Sequence, residues 1–152
     1  MKVNGEITVN APRAAVFAAL RDPQFFVSCV DGVHDLTEMD ATHYTAVLET
    51  SVAYMKFKLD VAVEVIRLRE PDEIETRIEG RPLGIAGRLS ATSTTQLIEQ
   101  GAQTKIVYAV DSTLTGKLGS LGRPVLAAKA KEMERKFAER LRVAFERSGS
   151  SP

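Results

Sequence analysis

Thr50, Ser93, Thr95, Tyr108 and Ser112 share one alternating phase with aliphatic residues on three segments of period two. Hydroxyls that converge in apolar surroundings can orient a ligand oxygen without any charge, which is the usual polar content of a small-molecule pocket. They serve equally well to satisfy nearby backbone groups or a buried water. Proton-transfer chemistry asks for an acid or base tuned near the working pH. The same phase of these strands offers no His, Asp, Glu or Lys, and Tyr108 is its one plausible proton donor. Cys29 follows Phe25 and Phe26 with no cation nearby in sequence, and reads as a small buried hydrophobe rather than a nucleophile. His34 and His43 stand nine positions apart across a predicted strand, a spacing that suits exposed edge residues and no metal site. Two glycine-rich stretches, Arg81–Gly87 and Gly116–Gly122, lack the Lys-Ser/Thr pair of a phosphate loop. They read as turn and hinge glycines, with a mobile loop over a cavity mouth as the second reading.

The elements that must position these residues follow from hydrophobic period. Val3, Gly5, Ile7 and Val9 alternate with polar residues as a half-buried strand. Asn10 offers a helix cap, Pro12 suits a first turn, and Val16, Phe17 and Leu20 form an apolar stripe that should stop near Asp22-Pro23. Pro23 opens a second short helix through Phe25, Phe26 and Cys29. From Val33 to Thr115 the period is mostly two, with a slip at Val65-Ile66 that predicts a bulge. Turns are expected at Asp40-Ala41-Thr42, Pro71-Asp72 and Gln100-Gly101. Leu126, Ala130, Met133, Phe137, Leu141 and Ala144 then recur at helical spacing. A run of strands closed by one long helix predicts an α+β helix-grip fold. It consists of a seven-stranded curved antiparallel sheet, two short helices after the first strand and a C-terminal helix packed across it. One domain, 1–147, and a disordered tail, 148–152, are expected.

Many inward residues are small: Ala46, Ala91, Ser93, Ala127, Ala128 and Ala130. Close packing requires that something fill the resulting volume. Either the helix lies very close to the sheet, or a ligand occupies the gap. The formal charge of +0 gives no global field toward nucleic acid. A single cysteine excludes an internal disulfide and suits a reducing cytoplasm. There is no signal-peptide core and no apolar run long enough to span a bilayer. The C-terminal helix carries many Lys and Arg, which read as a solvated face stitched by pairs such as Glu132-Lys136; a surface for anionic lipid or an acidic partner is the bolder reading.

The opening VNAPRAAVFAALRDPQFFVSCVDGV resembles the start of the carbon monoxide dehydrogenase G-subunit family, within the superfamily of START and polyketide-cyclase-like domains. The resemblance is carried by Pro12, Val16-Phe17, Leu20, Asp22-Pro23 and Cys29-Val30-Asp31-Gly32. Gly80–Gly87, Thr104, Tyr108 and GKLGSLG add to it. It implies the helix-grip fold, a partnership with molybdenum hydroxylases of the carbon monoxide dehydrogenase type, and a quinone-like or other lipid ligand. Asp31 stands where the family usually has proline. Many relatives carry a C-terminal extension thought to anchor them; this chain stops a few residues past its helix, so direct anchoring is not expected, and transient contact through the basic helix is kept as the bolder reading.

The expected function is therefore non-catalytic binding of a hydrophobic small molecule between sheet and helix, by a cytoplasmic protein that can sit peripherally at the inner face of the plasma membrane. No metal or covalent cofactor and no nucleic acid are expected. Phe25, Phe26 and Leu83 would guard the mouth; Phe57, Leu59, Leu89, Tyr108, Leu121, Val125 and Met133 would line the wall. The rival readings are a cyclase or hydratase of the same superfamily, and an assembly factor with no ligand.

Overall fold

The computed structural model describes the backbone of residues 1–150 and the side chains of residues 1–146. The expected tail at 148–152 falls on residues whose side chains or whole placement lie outside the described residues. The order is β1 (Lys2–Val9), α1 (Arg13–Arg21), α2 (Pro23–Ser28), β2 (Val33–Glu38), β3 (His43–Val52), β4 (Met55–Arg69), β5 (Glu73–Pro82), β6 (Gly87–Gln100), β7 (Gln103–Thr115), α3 (Gly116–Gly119) and α4 (Arg123–Ser150). All neighbours in the sheet, ordered β1-β7-β6-β5-β4-β3-β2, pair antiparallel.

Local sequence explains most boundaries. Pro12 stands at the N-cap of α1, and Asp22 accepts a hydrogen bond from the Gln24 N–H to open α2 on Pro23. Asn10 is not the cap: its side-chain oxygen accepts from Gln103 and ties the end of β1 to the β6–β7 turn. The slip at Val65-Ile66 is a register shift between Val65 and Arg67, with Ile66 as the extra residue turned toward solvent. The β3–β4 turn departs from local preference. Its two central residues, Ala53 and Tyr54, have φ of 49° and 69°. Such hairpins usually place Asn-Gly there, because a side chain in the left-handed region is strained. Tyr54 is fully exposed at the tip.

Register puts one row of side chains on the concave face. Leu48, Leu59 and Pro82 lie in line across β3, β4 and β5, and Thr76, Ser93 and Val110 across β5, β6 and β7. The backbone of α4 comes near the sheet chiefly along β1 and β3, so it bridges the two margins above the concave middle. Two separate apolar clusters close the layer. The larger gathers Ile7, Val9, Val16, Phe17, Cys29, Leu97, Ile106, Leu141 and Phe145 from β1, α1, the end of α2, β6, β7 and the far half of α4. The smaller gathers Val52, Phe57, Leu59 and Leu118, backed by Leu121 and Val125 where α3 leads into α4.

Candidate functional site

Between the two clusters the concave face is not sealed. Val63, Thr76, Ile78, Ser93, Thr95 and Val110 share the register phase of the buried Leu59, Ile74, Leu97 and Ile106, and all remain partly accessible. On α4, Ala127, Ala130, Met133 and Glu134 are likewise half-buried, and Glu134 meets Tyr108 of β7. Small side chains, a helix that rests on the sheet margins and plugs at both ends leave an interior strip of aliphatic and hydroxyl groups. Two open depressions, of about 540 and 460 Å³, lie outside this layer. One is on the convex sheet face around Asp35, Asp60, Glu79, Arg81 and Arg88; the other is on the outer flank of α4 around Lys136, Glu139 and Val143.

The expected binding residues divide between plug and strip. Phe57 and Leu59 are buried in the smaller cluster, with Leu121 and Val125 against it. Leu89 covers Gly80, where an added Cβ would meet Leu89 at 3.2 Å. Tyr108 packs against the larger cluster, and Met133 on α4 is partly buried. The three expected guards do not form one mouth. Phe25 stacks on Phe145 at 5.7 Å and Phe26 on Phe137 at 5.4 Å, which pins α2 to the far half of α4. Leu83 instead stands exposed in the β5–β6 loop, its N–H donating to the Lys58 carbonyl.

Two inward ionisable groups escaped the sequence reading. Glu134 comes from α4 and faces Tyr108; Tyr44 comes from β3, in phase with Ala46. Burial pushes the Tyr44 phenol up to about 12. The Tyr108 hydroxyl is fully buried over Gly5, where an added Cβ would overlap it. Burial, then the facing Glu134 carboxylate, push this phenol upward, while the hydroxyl has no partner at full hydrogen-bond geometry. Glu134 was findable: it lies four residues past Ala130 and seven past Ala127, on the same helix face. Ser112, by contrast, is spoken for, since its hydroxyl donates to the Met1 carbonyl.

The remaining candidates are structural. Cys29 is buried, and burial pushes its thiol up against the smaller opposing effects of Ser28 and Arg140. His34 bonds Glu49 at 2.7 Å and Asp35 at 3.0 Å; His43 bonds Asp40 at 2.9 Å and Glu64 at 3.0 Å. They are thus partnered, not idle, edge residues. Among the described residues no group of three or more His, Cys, Asp or Glu could hold a metal ion. The two glycine stretches lock together, Gly87 bridging Gly116 and the Lys117 N–H donating to Ala86.

Residues 5–145 match the carbon monoxide dehydrogenase G-subunit (CoxG) family. The chain belongs to that family. A conserved protein from Geobacillus kaustophilus superposes with a TM-score of 0.89 at 23% identity, covering 97% of each chain. The Zhui aromatase/cyclase from Streptomyces sp. R1128 follows the same fold with a TM-score of 0.73 at 16% identity, covering 99% of this chain and 96% of that one. A START superfamily protein from Mycobacterium smegmatis does so with a TM-score of 0.73 at 11% identity, covering 96% and 97%. No curated protein sequence matches the chain. In this CoxG family member Asp31 fastens the turn after α2. The Asp31 carboxylate accepts from Lys136 at 3.1 Å and Arg140 at 2.9 Å, tying the α2–β2 turn to α4. No described helix is long and apolar enough to cross a membrane.

Proposed function

We propose that this chain holds an apolar small molecule, a lipid or a quinone-like compound, between the sheet and α4, as an accessory component of a carbon monoxide dehydrogenase-type molybdenum hydroxylase at the cytoplasmic side of the cell. The observation that carries the binding role is the unsealed middle of the concave face, flanked by two closed apolar plugs. Covering apolar surface yields roughly 25 cal/mol per Å², so a long hydrocarbon chain would be held without any charged contact. Family membership supports the dehydrogenase partnership. Solvent extraction of gently purified protein, followed by mass analysis, tests the binding role. An apolar compound in stoichiometric amount is expected. Protein that yields none, and takes up none from added lipid or quinone, would leave the ligand-free assembly role standing.

A second reading is favoured by one pair of residues. Tyr108 and Glu134 set a phenol and a carboxylate face to face at the interior, which is the minimum for acid–base work on a bound polyketide-like substrate. A cyclase-type activity that survives Tyr108→Phe and Glu134→Gln would dispose of this assignment.

A further inference from the structure

Polar groups are not spread evenly along the inward phase of the sheet. Beside the smaller apolar cluster, the row across β4 to β7 is Val61, Gly80, Leu89 and Leu114. The next row, Val63, Ile78 and Ala91, is also apolar, and the neighbouring Ser112 already donates to the Met1 carbonyl. Hydroxyls begin one row further on. Thr76 stands beside Ser93, and then Thr95 stands beside Tyr108, which packs against the larger cluster. Buried Thr104 donates to the Ala11 carbonyl, but among the described residues the hydroxyls of Thr76, Ser93 and Thr95 have no partner in the protein. The strip therefore has an apolar end and a polar end.

The polar end is built around one phenol and one carboxylate. Gly5 lies across from Tyr108 in the β1–β7 ladder, and its missing side chain is what lets the phenol lie over β1. Burial, then Glu134, raise this phenol above its ordinary range, so it stays a donor. Glu134 is half-buried and, among the described residues, has no cationic partner, whereas Glu132 is held by Lys129 and Lys136. A carboxylate drawn out of water needs donors at both oxygens. Tyr108 has one proton to give, and its hydroxyl is fully covered, so it can serve only one of them from behind. The group is rich in acceptors and short of a donor.

We propose that this end of the interior selects the ligand's head: an uncharged hydroxyl, as on a phenol, a quinol or a long-chain alcohol, that donates to Glu134 and accepts from Thr95 or Ser93. Tyr108 is the positioning residue behind Glu134, and the apolar remainder of the ligand lies toward Leu89 and Leu114. The inference rests on the binding role proposed above and adds a rank order to it. A head with carbonyl oxygens alone can accept from the hydroxyls but leaves Glu134 short of a donor. A carboxylate or phosphate head meets Glu134 as a like charge in surroundings short of water, so fatty acids and phospholipids are rejected.

Displacement of Nile red from the solvent-extracted full chain by para-octylphenol, para-octylbenzoate and octylbenzene tests it. The phenol should bind about tenfold more tightly than octylbenzene, because a hydrogen bond to a charged acceptor is gained, and at least about tenfold more tightly than the benzoate. Glu134→Gln should weaken the phenol and strengthen the benzoate, opposite changes that a damaged fold would not produce. Thr95→Val and Tyr108→Phe should each weaken the phenol severalfold and leave octylbenzene unchanged. Glu139→Gln, the same change at an exposed position of α4, should leave all three affinities as they are. Equal affinity for the three compounds, or a preference for the benzoate, would overturn the selection and leave the binding role standing. Protein that takes up neither the dye nor any of the three would remove the binding role itself, and the selection with it.

Discussion

The two ends of the sheet–helix layer are built from the same parts and do opposite things. At the far end, α1, α2 and the last turns of α4 converge on β1, β6 and β7 around Phe17 and Leu141, both essentially inaccessible. At the loop end, Leu118 is buried with only Val52, Phe57 and Leu59, while Tyr54, Leu83 and Ile85 project outward. The far end carries paired charges such as Asp31 with Lys136 and Arg140; the loop end carries unpaired cations. Stability is thus concentrated at one end, and the other is left free to meet partners. The largest effects should follow that division. Phe17→Ala or Leu141→Ala removes a fully enclosed side chain and should cost about 3–5 kcal/mol, or prevent folding. Leu118→Ala should cost nearer ~2 kcal/mol and, if the smaller plug gates the interior, accelerate release of a bound apolar probe. Equal losses at both ends, measured by urea unfolding, would erase the distinction.

Glycines sharpen the same contrast. Gly116 has φ of +64°, and a Cβ there would lie 2.5 Å from the Ala86 carbonyl oxygen and 2.6 Å from the Gly87 Cα. Both obstacles are backbone, so Gly116→Ala should cost roughly 2 kcal/mol or more and unlock α3 from the β5–β6 loop. Gly5 is crowded by the end of the Tyr108 side chain, which can tilt. Gly5→Ala should therefore cost less, and the loss should be strongly non-additive with Tyr108→Leu. Additive behaviour would mean that the ring is not what fills the space over Gly5.

The strip between the plugs gives a smaller and more discriminating effect. Ser93 lies between Thr76 and Val110 in the inward phase and is partly accessible. Ser93→Leu should change stability by less than about 1 kcal/mol while displacing an apolar ligand; in an interior already filled, the added volume would cost about 1–3 kcal/mol. Thermal unfolding with parallel extraction of ligand separates the two outcomes.

Alternation of residue types was enough to locate the seven strands, the Val65-Ile66 bulge and the inward rows, because one slipped residue would reverse buried and exposed faces. The proline-led helices were equally legible. What sequence concealed was of two kinds. Ala53-Tyr54 carries no glycine or asparagine to announce its left-handed turn, and β3 and β4 force it through their pairing. The Tyr108–Glu134 meeting and the cationic loop end are products of tertiary assembly. Their residues are far apart in the chain, and a net charge summed over the whole sequence cancels the segregation that the fold creates.

Charge pairing supplies the smallest effects, and their signs differ between two regions. Asp31 is held below its ordinary 3.8, first by its hydrogen bond to Lys136 and then by that to Arg140. A carboxylate depressed in the folded state stabilises above its unfolded value, and that contribution fades as pH falls through the lowered folded value. Asp31→Asn should therefore cost up to about 1 kcal/mol at neutral pH, since both partners are substantially solvated. The difference from the unsubstituted chain should vanish well below pH 3.8. At the β2–β3 margin the opposite holds. His34 is raised above 6.5, first by Glu49 and then by Asp35, and His43 by Asp40 and then Glu64. Their contribution is complete below pH 6.5 and is lost as pH rises through the raised values. Unfolding midpoints recorded from acid to alkaline pH should thus show Asp31→Asn converging on the unsubstituted chain at low pH, and His34→Gln/His43→Gln converging at high pH. Two curves that converge on the same side would show that these turns are not held by the pairs assigned to them.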